Sequence, residues 1–129
     1  MKKIICFSLV ALAFNSYADV EDCSSKNKSK YEVESCLVNL VEERKSELKV
    51  VLAQVNAVVV GQEEYKIAPD LTKDLQKNLQ DFENYKNSFC NLYLGATGAS
   101  MGTGSYSASL ECEAKVLKQR IQLLRSIAN

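Results

Sequence analysis

The stretch that decides the fold is SKYEVESCLVNLVEERKSELKVVLAQVNAVVV, residues 29–60. Its first four residues have the S-x-x-E form of a capping box, in which a hydroxyl and a carboxylate satisfy backbone amides that a helix start leaves unpaired. Apolar residues then recur at three- and four-residue steps, which indicates a helix with one buried face. The residues of this stripe are Val33, Leu37, Leu40, Val41, Leu48, Leu52, Val55 and Val59.

Two parts of this helix depart from a simple amphipathic pattern. Arg44 interrupts the stripe, and we expect its stem to lie along apolar surface while the guanidinium reaches water. No charged residue occurs between Val50 and Val60, where the β-branched residues would also suit a strand. The continuous periodicity favours a helix buried on two sides, either in the core of a bundle or against a partner such as a second copy of the chain.

Two more helical stripes follow, whereas residues 19–28 are polar and are expected to be irregular. Residues 61–68 are expected to form a turn, and no strand-turn-strand pattern competes. The sequence therefore predicts an all-α fold, a three-helix up-down-up bundle with a long Gly/Ser loop between helices 2 and 3. The second stripe is Leu71, Leu75, Leu79, Phe82, Tyr85 or Lys86, Phe89 and Tyr93, and the third is Leu110, Ala114, Leu117, Ile121 and Leu124.

The beginning of the chain has the layout of a secretory signal peptide. A basic start, MKK, precedes the apolar run IICFSLVALAF, and small residues at positions 16 and 18 have the spacing of a cleavage site. The alternative is an uncleaved membrane anchor, but the run is short of the roughly 20 apolar residues that a spanning helix needs. We therefore predict a signal peptide over residues 1–18 and an exported mature domain over residues 19–129, periplasmic or secreted, with no membrane association after cleavage.

Charge and composition exclude several classes of function for the mature chain. Removing Lys2 and Lys3 leaves 16 − 2 = 14 basic residues against 16 acidic ones, so no basic surplus is present to bind nucleic acid or anionic lipid. The chain has no histidine, and its pairs of glutamates are ordinary for a solvated helix, so no general base or nucleophile pair is evident. We predict that the protein is not an enzyme and binds no cofactor.

Four cysteines remain after cleavage: Cys23, Cys36, Cys90 and Cys112. An even number in a short exported chain predicts two disulfides, for which three pairings are possible. A zinc site is the alternative, but the chain has no C-x-x-C spacing and no histidine. The last three of these cysteines are expected at one end of the bundle, so geometry alone leaves the pairing open.

The segment GATGASMGTGS, residues 95–105, contains four of the five glycines of the chain. It has no lysine after its last glycine and follows no strand, so it is neither a P-loop nor a dinucleotide fingerprint. It is either a mobile connection without a function or a recognition loop whose small residues enter a narrow cleft. On the second interpretation, the candidate contact residues are Ser100, Met101, Thr103, Ser105 and Tyr106.

A resemblance to a known family rests on the order of several features. Cys23 and Cys36 flank a helix start, and FENYKNSFC, which ends at Cys90, carries an aromatic residue eight positions and a basic residue four positions before that cysteine. GTGSYSASLEC and Arg120 follow. Over roughly residues 22–125 the chain resembles the LprI-type lysozyme-inhibitor N-terminal domain, although Phe82, Lys86 and Leu52 replace the Trp, Arg and Tyr usual there.

The resemblance implies the pairing Cys23–Cys36 and Cys90–Cys112, with the second bridge holding the Gly/Ser loop. It also implies a partner, lysozyme or a related peptidoglycan hydrolase, which the protein would inhibit. The alternative is a structural or accessory envelope module, possibly a dimer through the Val50–Val60 segment, in which the loop has no function.

Overall fold

The structure, a computed structural model, describes residues 19–24, 26–66, 68, 70–102 and 104–129. These ranges contain four helices and no strand: α1 (Val20–Cys23), α2 (Lys30–Glu64), α3 (Leu71–Ala96) and α4 (Ser105–Ala128). The all-α class is therefore confirmed. The predicted signal peptide, residues 1–18, lies outside the described residues. Within the described part of the chain, no helix has both the length and the apolar character needed to span a bilayer.

The short helix α1 corrects the expectation that residues 19–28 are irregular. Asp19 caps α1, and a second capping box pairs its side chain with the amide of Asp22 and the Asp22 side chain with the amide of Asp19. Val20 and Cys23 are buried in the core. One apolar residue and one cysteine over a single turn give too little periodicity to reveal a helix in the sequence.

Helix α2 begins where the sequence predicts and ends later than predicted. The hydroxyl of Ser29 accepts a hydrogen bond from the amide of Glu32 at 3.3 Å, and the Glu32 carboxylate accepts one from the amide of Ser29 at 2.6 Å. The helix then continues through Gly61 to Glu64. The connection that follows includes Lys66 and Asp70 with φ values of 55° and 70°, in the left-handed region that residues other than glycine rarely adopt.

The main core lies between α2 and α4. One apolar cluster joins the N-terminal halves of these helices through Leu37, Leu40 and Val41 on α2 and Leu110, Ala114 and Leu117 on α4, together with Val20 and Cys23 of α1. A second cluster joins their C-terminal halves through Val51, Val55 and Val59 on α2 and Ile121 and Leu124 on α4. The first and third predicted stripes are thus confirmed as buried faces.

Two expectations for α2 are wrong. Val51, Val55 and Val59 are buried, but Val50 and Val60 are about half exposed, so the charge-free segment is buried on one side rather than two. Arg44 is also buried, and its guanidinium does not reach water. Instead it donates hydrogen bonds to the carbonyl oxygen of Ala114 and, at 3.1 Å, to the carboxylate of Asp19.

Helix α3 packs on the outside of the α2–α4 pair. Leu71 and Leu75 contact the cluster of C-terminal halves, and Phe82 contacts the cluster of N-terminal halves. The second stripe is only partly a core face, because Cys90 is the one buried residue of α3 and Tyr85 and Phe89 are exposed. The sequence missed this exposure because periodicity identifies a face of a helix but not how completely a neighbour covers it.

Candidate functional site

The connection between α3 and α4 is an eight-residue glycine-rich segment, residues 97–104. Thr97 ends α3 by donating its hydroxyl and its amide to the carbonyl oxygen of Tyr93, at 2.7 and 3.0 Å. Gly98 then adopts φ +73° and Gly102 φ +116°, conformations that side-chain-bearing residues rarely adopt. Between them the amide of Ser100 donates to the carbonyl oxygen of Leu94 at 3.1 Å, which folds the segment back over the end of α3.

The predicted contact residues lie in two different local structures. Ser100 and Met101 lie in the connection, and the Met101 side chain is 88% exposed. Ser105 and Tyr106 lie in the first turn of α4 rather than in the loop, and Tyr106 is exposed. Thr103 lies outside the described residues. The described members of the set are therefore divided between the connection and the adjoining start of α4.

Both disulfides are present, with the pairing that the resemblance implies. Cys23 is bonded to Cys36 and Cys90 to Cys112. The second bond joins the last two turns of α3 to the second turn of α4, so it holds both ends of the 97–104 connection. At the same end, the hydroxyl of Ser107 donates to the carboxylate of Glu34 at 3.4 Å, which ties the start of α4 to the start of α2.

The basic residue of the FENYKNSFC motif belongs to an ion-pair network across three helices. The ammonium of Lys86 on α3 lies 3.5 Å from the carboxylate of Glu113 on α4 and 3.0 Å from that of Glu83. The ammonium of Lys45 on α2 also lies 3.5 Å from Glu113. Hydrogen bonding to Glu42 raises the pKa of Lys45. No spacing signal in the sequence relates Glu113 to two lysines on different helices.

Phe82, the aromatic residue of the same motif, contacts Arg120, which is also one of the residues that carry the family resemblance. The guanidinium carbon of Arg120 lies 4.9 Å from the centre of the Phe82 ring, a cation–π contact. Arg120 also donates to the side chain of Asn78 at 2.5 Å, and burial lowers its pKa. Phe82, Lys86 and Arg120 thus hold α3 against its neighbours, which gives these positions a structural role.

A group of polar contacts around Asp19 connects the start of α1 to α2 and α4. Asp19 accepts hydrogen bonds from Lys118, from the amide of Val20 and from Arg44. These contacts, that of Lys118 first, hold the pKa of Asp19 at about 2, below its ordinary value of 3.8. The pKa of Glu32 is lowered by its hydrogen bonds with Ser29, and that of Glu63 by hydrogen bonds from Thr72.

The pKa values of Asp19, Glu32 and Glu63 are all lowered, away from neutrality. Such shifts are typical of carboxylates in helix caps and ion pairs rather than of catalytic acids or bases. Over the described ranges, no group of three or more histidine, cysteine, aspartate or glutamate residues could hold a metal ion.

Comparison with protein families gives one match that spans most of the chain. The model of the lysozyme inhibitor LprI family matches residues 21–124. Comparisons with curated proteins and with solved structures gave no match. The matched range begins within α1, includes both disulfides and ends in α4. The chain belongs to the LprI lysozyme inhibitor family.

Proposed function

We propose that this protein is an exported, non-enzymatic binding protein that inhibits lysozyme or a related peptidoglycan hydrolase. The observation that carries the proposal is the family match over residues 21–124. The proposal includes export through the signal peptide of residues 1–18, a mature domain of residues 19–129, and the up-down-up order of the three long helices. The contacts of α2 with α4 at both of their halves support that order.

We place the contact surface at the 97–104 connection and the first turn of α4. The exposed side chain of Met101 supports this choice, because methionine is enriched in protein interfaces relative to the rest of the surface. The Cys90–Cys112 bond also supports it, since a connection held at both ends loses less conformational entropy on binding. Ser100, Ser105 and Tyr106 complete the proposed surface, and Thr103, which lies outside the described residues, stays a predicted contact.

The test is residual activity of c-type, g-type and i-type lysozymes against increasing amounts of the oxidised mature protein. We expect stoichiometric inhibition of at least one class. Met101→Asp should weaken inhibition by roughly 30-fold or more, because the anchor is lost and a charge is placed in the interface. Leu123→Asp is the matched control, since Leu123 is also exposed, at 62%, but lies near the other end of α4.

The results of these assays test the inhibitory function and the placement of the contact surface separately. Inhibition that both variants retain would contradict the placement at the connection but keep the inhibitory function. No inhibition of any class by folded, oxidised protein would contradict the function itself. Circular dichroism of each variant confirms that the helices are intact.

A second candidate is an accessory envelope module that dimerises through α2. Val50 and Val60 favour it, because they are half exposed in a segment of the helix that carries no charge. Val50→Asp combined with Val60→Asp should then convert a dimer to a monomer in size-exclusion chromatography with light scattering. A wild-type protein that is monomeric at high concentration would contradict this candidate.

A further inference from the structure

A groove with a volume of about 510 Å³ is lined by residues of α3 and α4 and by residues at the start of α1. Helix α3 contributes Tyr85, Phe89 and Tyr93 to its lining, and α4 contributes Lys115, Gln119 and Gln122 together with the buried residues Cys112 and Val116. Asp19, Glu21 and Lys118 complete it. Its volume is in the range of sites that hold small molecules, roughly 300–1,000 Å³.

The aromatic residues form one continuous surface of the groove. Tyr85, Phe89 and Tyr93 follow one another at four-residue steps, which places them on a single face of α3. The rings of Tyr85 and Phe89 are stacked, with centres 5.6 Å apart and planes 23° from parallel. Tyr85 is 51% and Phe89 39% exposed, so both rings offer apolar area to a ligand.

Apart from the aromatic residues, Cys112 and Val116, the lining is polar, and its charges balance. Asp19 and Glu21 carry two negative charges, and Lys115 and Lys118 carry two positive ones. Asp19 and Lys118 are paired with each other. The two side-chain amides, Gln119 and Gln122, can each donate and accept hydrogen bonds. The groove therefore has no net charge with which to select an anion or a cation.

We propose that this groove binds a neutral saccharide chain. A pyranose ring has apolar C–H faces that can cover an aromatic ring, and hydroxyl or acetamido groups at its edge that pair with amides and carboxylates. An apolar helix of another protein fits less well, because half of the groove would leave amides and charges buried without partners. The inference extends beyond lysozyme inhibition and does not depend on it.

The test is titration of the folded, oxidised protein with tri-N-acetylchitotriose and with cellotriose, followed by two-dimensional NMR and by tyrosine fluorescence. We expect saturable shifts that map to Tyr85, Phe89 and Gln119, with a dissociation constant of roughly 0.1–10 mM, as a shallow open site allows. Tyr85→Ala and Phe89→Ala should each weaken binding by about tenfold, because each removes a ring from the stack.

Matched variants keep the test specific. Leu92→Ala removes a side chain that is 67% exposed on the same helix but outside the groove, and should leave the affinity unchanged. Gln119→Ala should weaken binding by removing polar contacts while leaving both rings in place. Lysozyme is absent from these experiments, so their failure is distinct from failure of the inhibition assay.

Three results would overturn the proposal. The first is no saturable shift with either saccharide in protein whose helices and disulfides are intact. The second is binding that Tyr85→Ala, Phe89→Ala and Gln119→Ala all leave unchanged. The third is saturation of the groove by an amphipathic helical peptide that the saccharides do not displace, which would assign it to a protein partner.

Discussion

Helices α3 and α4 are of similar length, 26 and 24 residues, and both carry an apolar stripe, yet they differ in how much of that stripe is buried. Helix α4 buries seven residues, most of them against α2, whereas α3 buries one, the disulfide-bonded Cys90. Helix α3 is held by that bond, by the Glu113 network and by the Phe82–Arg120 contact.

The difference is one of burial: α4 contributes a core face, whereas α3 leaves part of its apolar stripe at the surface. The α2–α4 pair supplies most of the apolar burial, which is the dominant favourable contribution to folding. Because the disulfide, the polar contacts and the partial burial of Leu71, Leu75 and Phe82 hold α3 in place, the rest of its aromatic face does not have to be buried. Tyr85 and Phe89 are therefore left at the surface, where they line the groove beside α4.

The largest expected effect is the loss of a core side chain from the α2–α4 pair. Leu117→Ala should lower the free energy of unfolding by about 3–4 kcal/mol, because Leu117 is 1% exposed and its removal leaves a cavity. Leu79→Ala, on the partly buried face of α3, should cost about 1 kcal/mol. Urea unfolding monitored by circular dichroism measures both, and equal costs would contradict the division between the two helices.

The second effect concerns the disulfide that holds α3. Replacing Cys90 and Cys112 together by serine should cost about 3 kcal/mol in the chain-entropy model. Hydrogen exchange should accelerate in the second half of α3 before it does in α2. Loss of Cys23–Cys36, which closes 13 rather than 22 residues, should cost about 0.5 kcal/mol less. Uniform acceleration of exchange over all the helices would show that α3 is not a separate unit.

A third pair of variants compares a polar contact in the α2–α4 core with one that holds α3. Arg44→Met should cost about 2 kcal/mol, because Arg44 is buried and its loss leaves the carboxylate of Asp19 with one donor fewer. Lys86→Met should cost less than about 1 kcal/mol, since Glu113 keeps Lys45 as a partner and is partly solvated. Thermal and urea unfolding measure the free energy of unfolding of both variants. A larger loss for Lys86→Met than for Arg44→Met would contradict the greater importance of the polar contacts in the core.

The sequence predicts the α2–α4 core well because each helix carries its own signal. The capping box at Ser29 and the regular stripes of α2 and α4 are local properties, and the structure confirms them. The pairing of the cysteines was open from geometry and followed only from the family resemblance. What the sequence gets wrong depends on tertiary contacts: the burial of Arg44 requires Asp19 and Ala114, which lie 25 and 70 residues away.

The candidate site is only partly predictable for the same reason. The four glycines indicate the connection, but Ser105 and Tyr106 belong to α4, because the helix begins directly after Gly104. The exposure of Tyr85 and Phe89 could not be predicted, since their spacing is equally that of a buried face. Nothing in the sequence indicates that α3 is covered on one side only.

The smallest expected effect is a pH dependence of the free energy of unfolding that comes from Asp19, which connects α1 to α2 and α4. The pKa of Asp19 is about 2 in the folded chain against an ordinary 3.8, so its carboxylate stabilises the fold above pH 3.8 and the stabilisation is lost as the pH falls toward 2. Since Asp19 is partly exposed, solvent reduces the contribution to about 1 kcal/mol. Urea unfolding at pH 5 and near pH 2 should therefore show a smaller loss of stability for Asp19→Asn than for the wild type. Glu21→Gln is the control, because Glu21 is exposed in the same helix, and an equal loss in Asp19→Asn and wild type would place the acid sensitivity elsewhere.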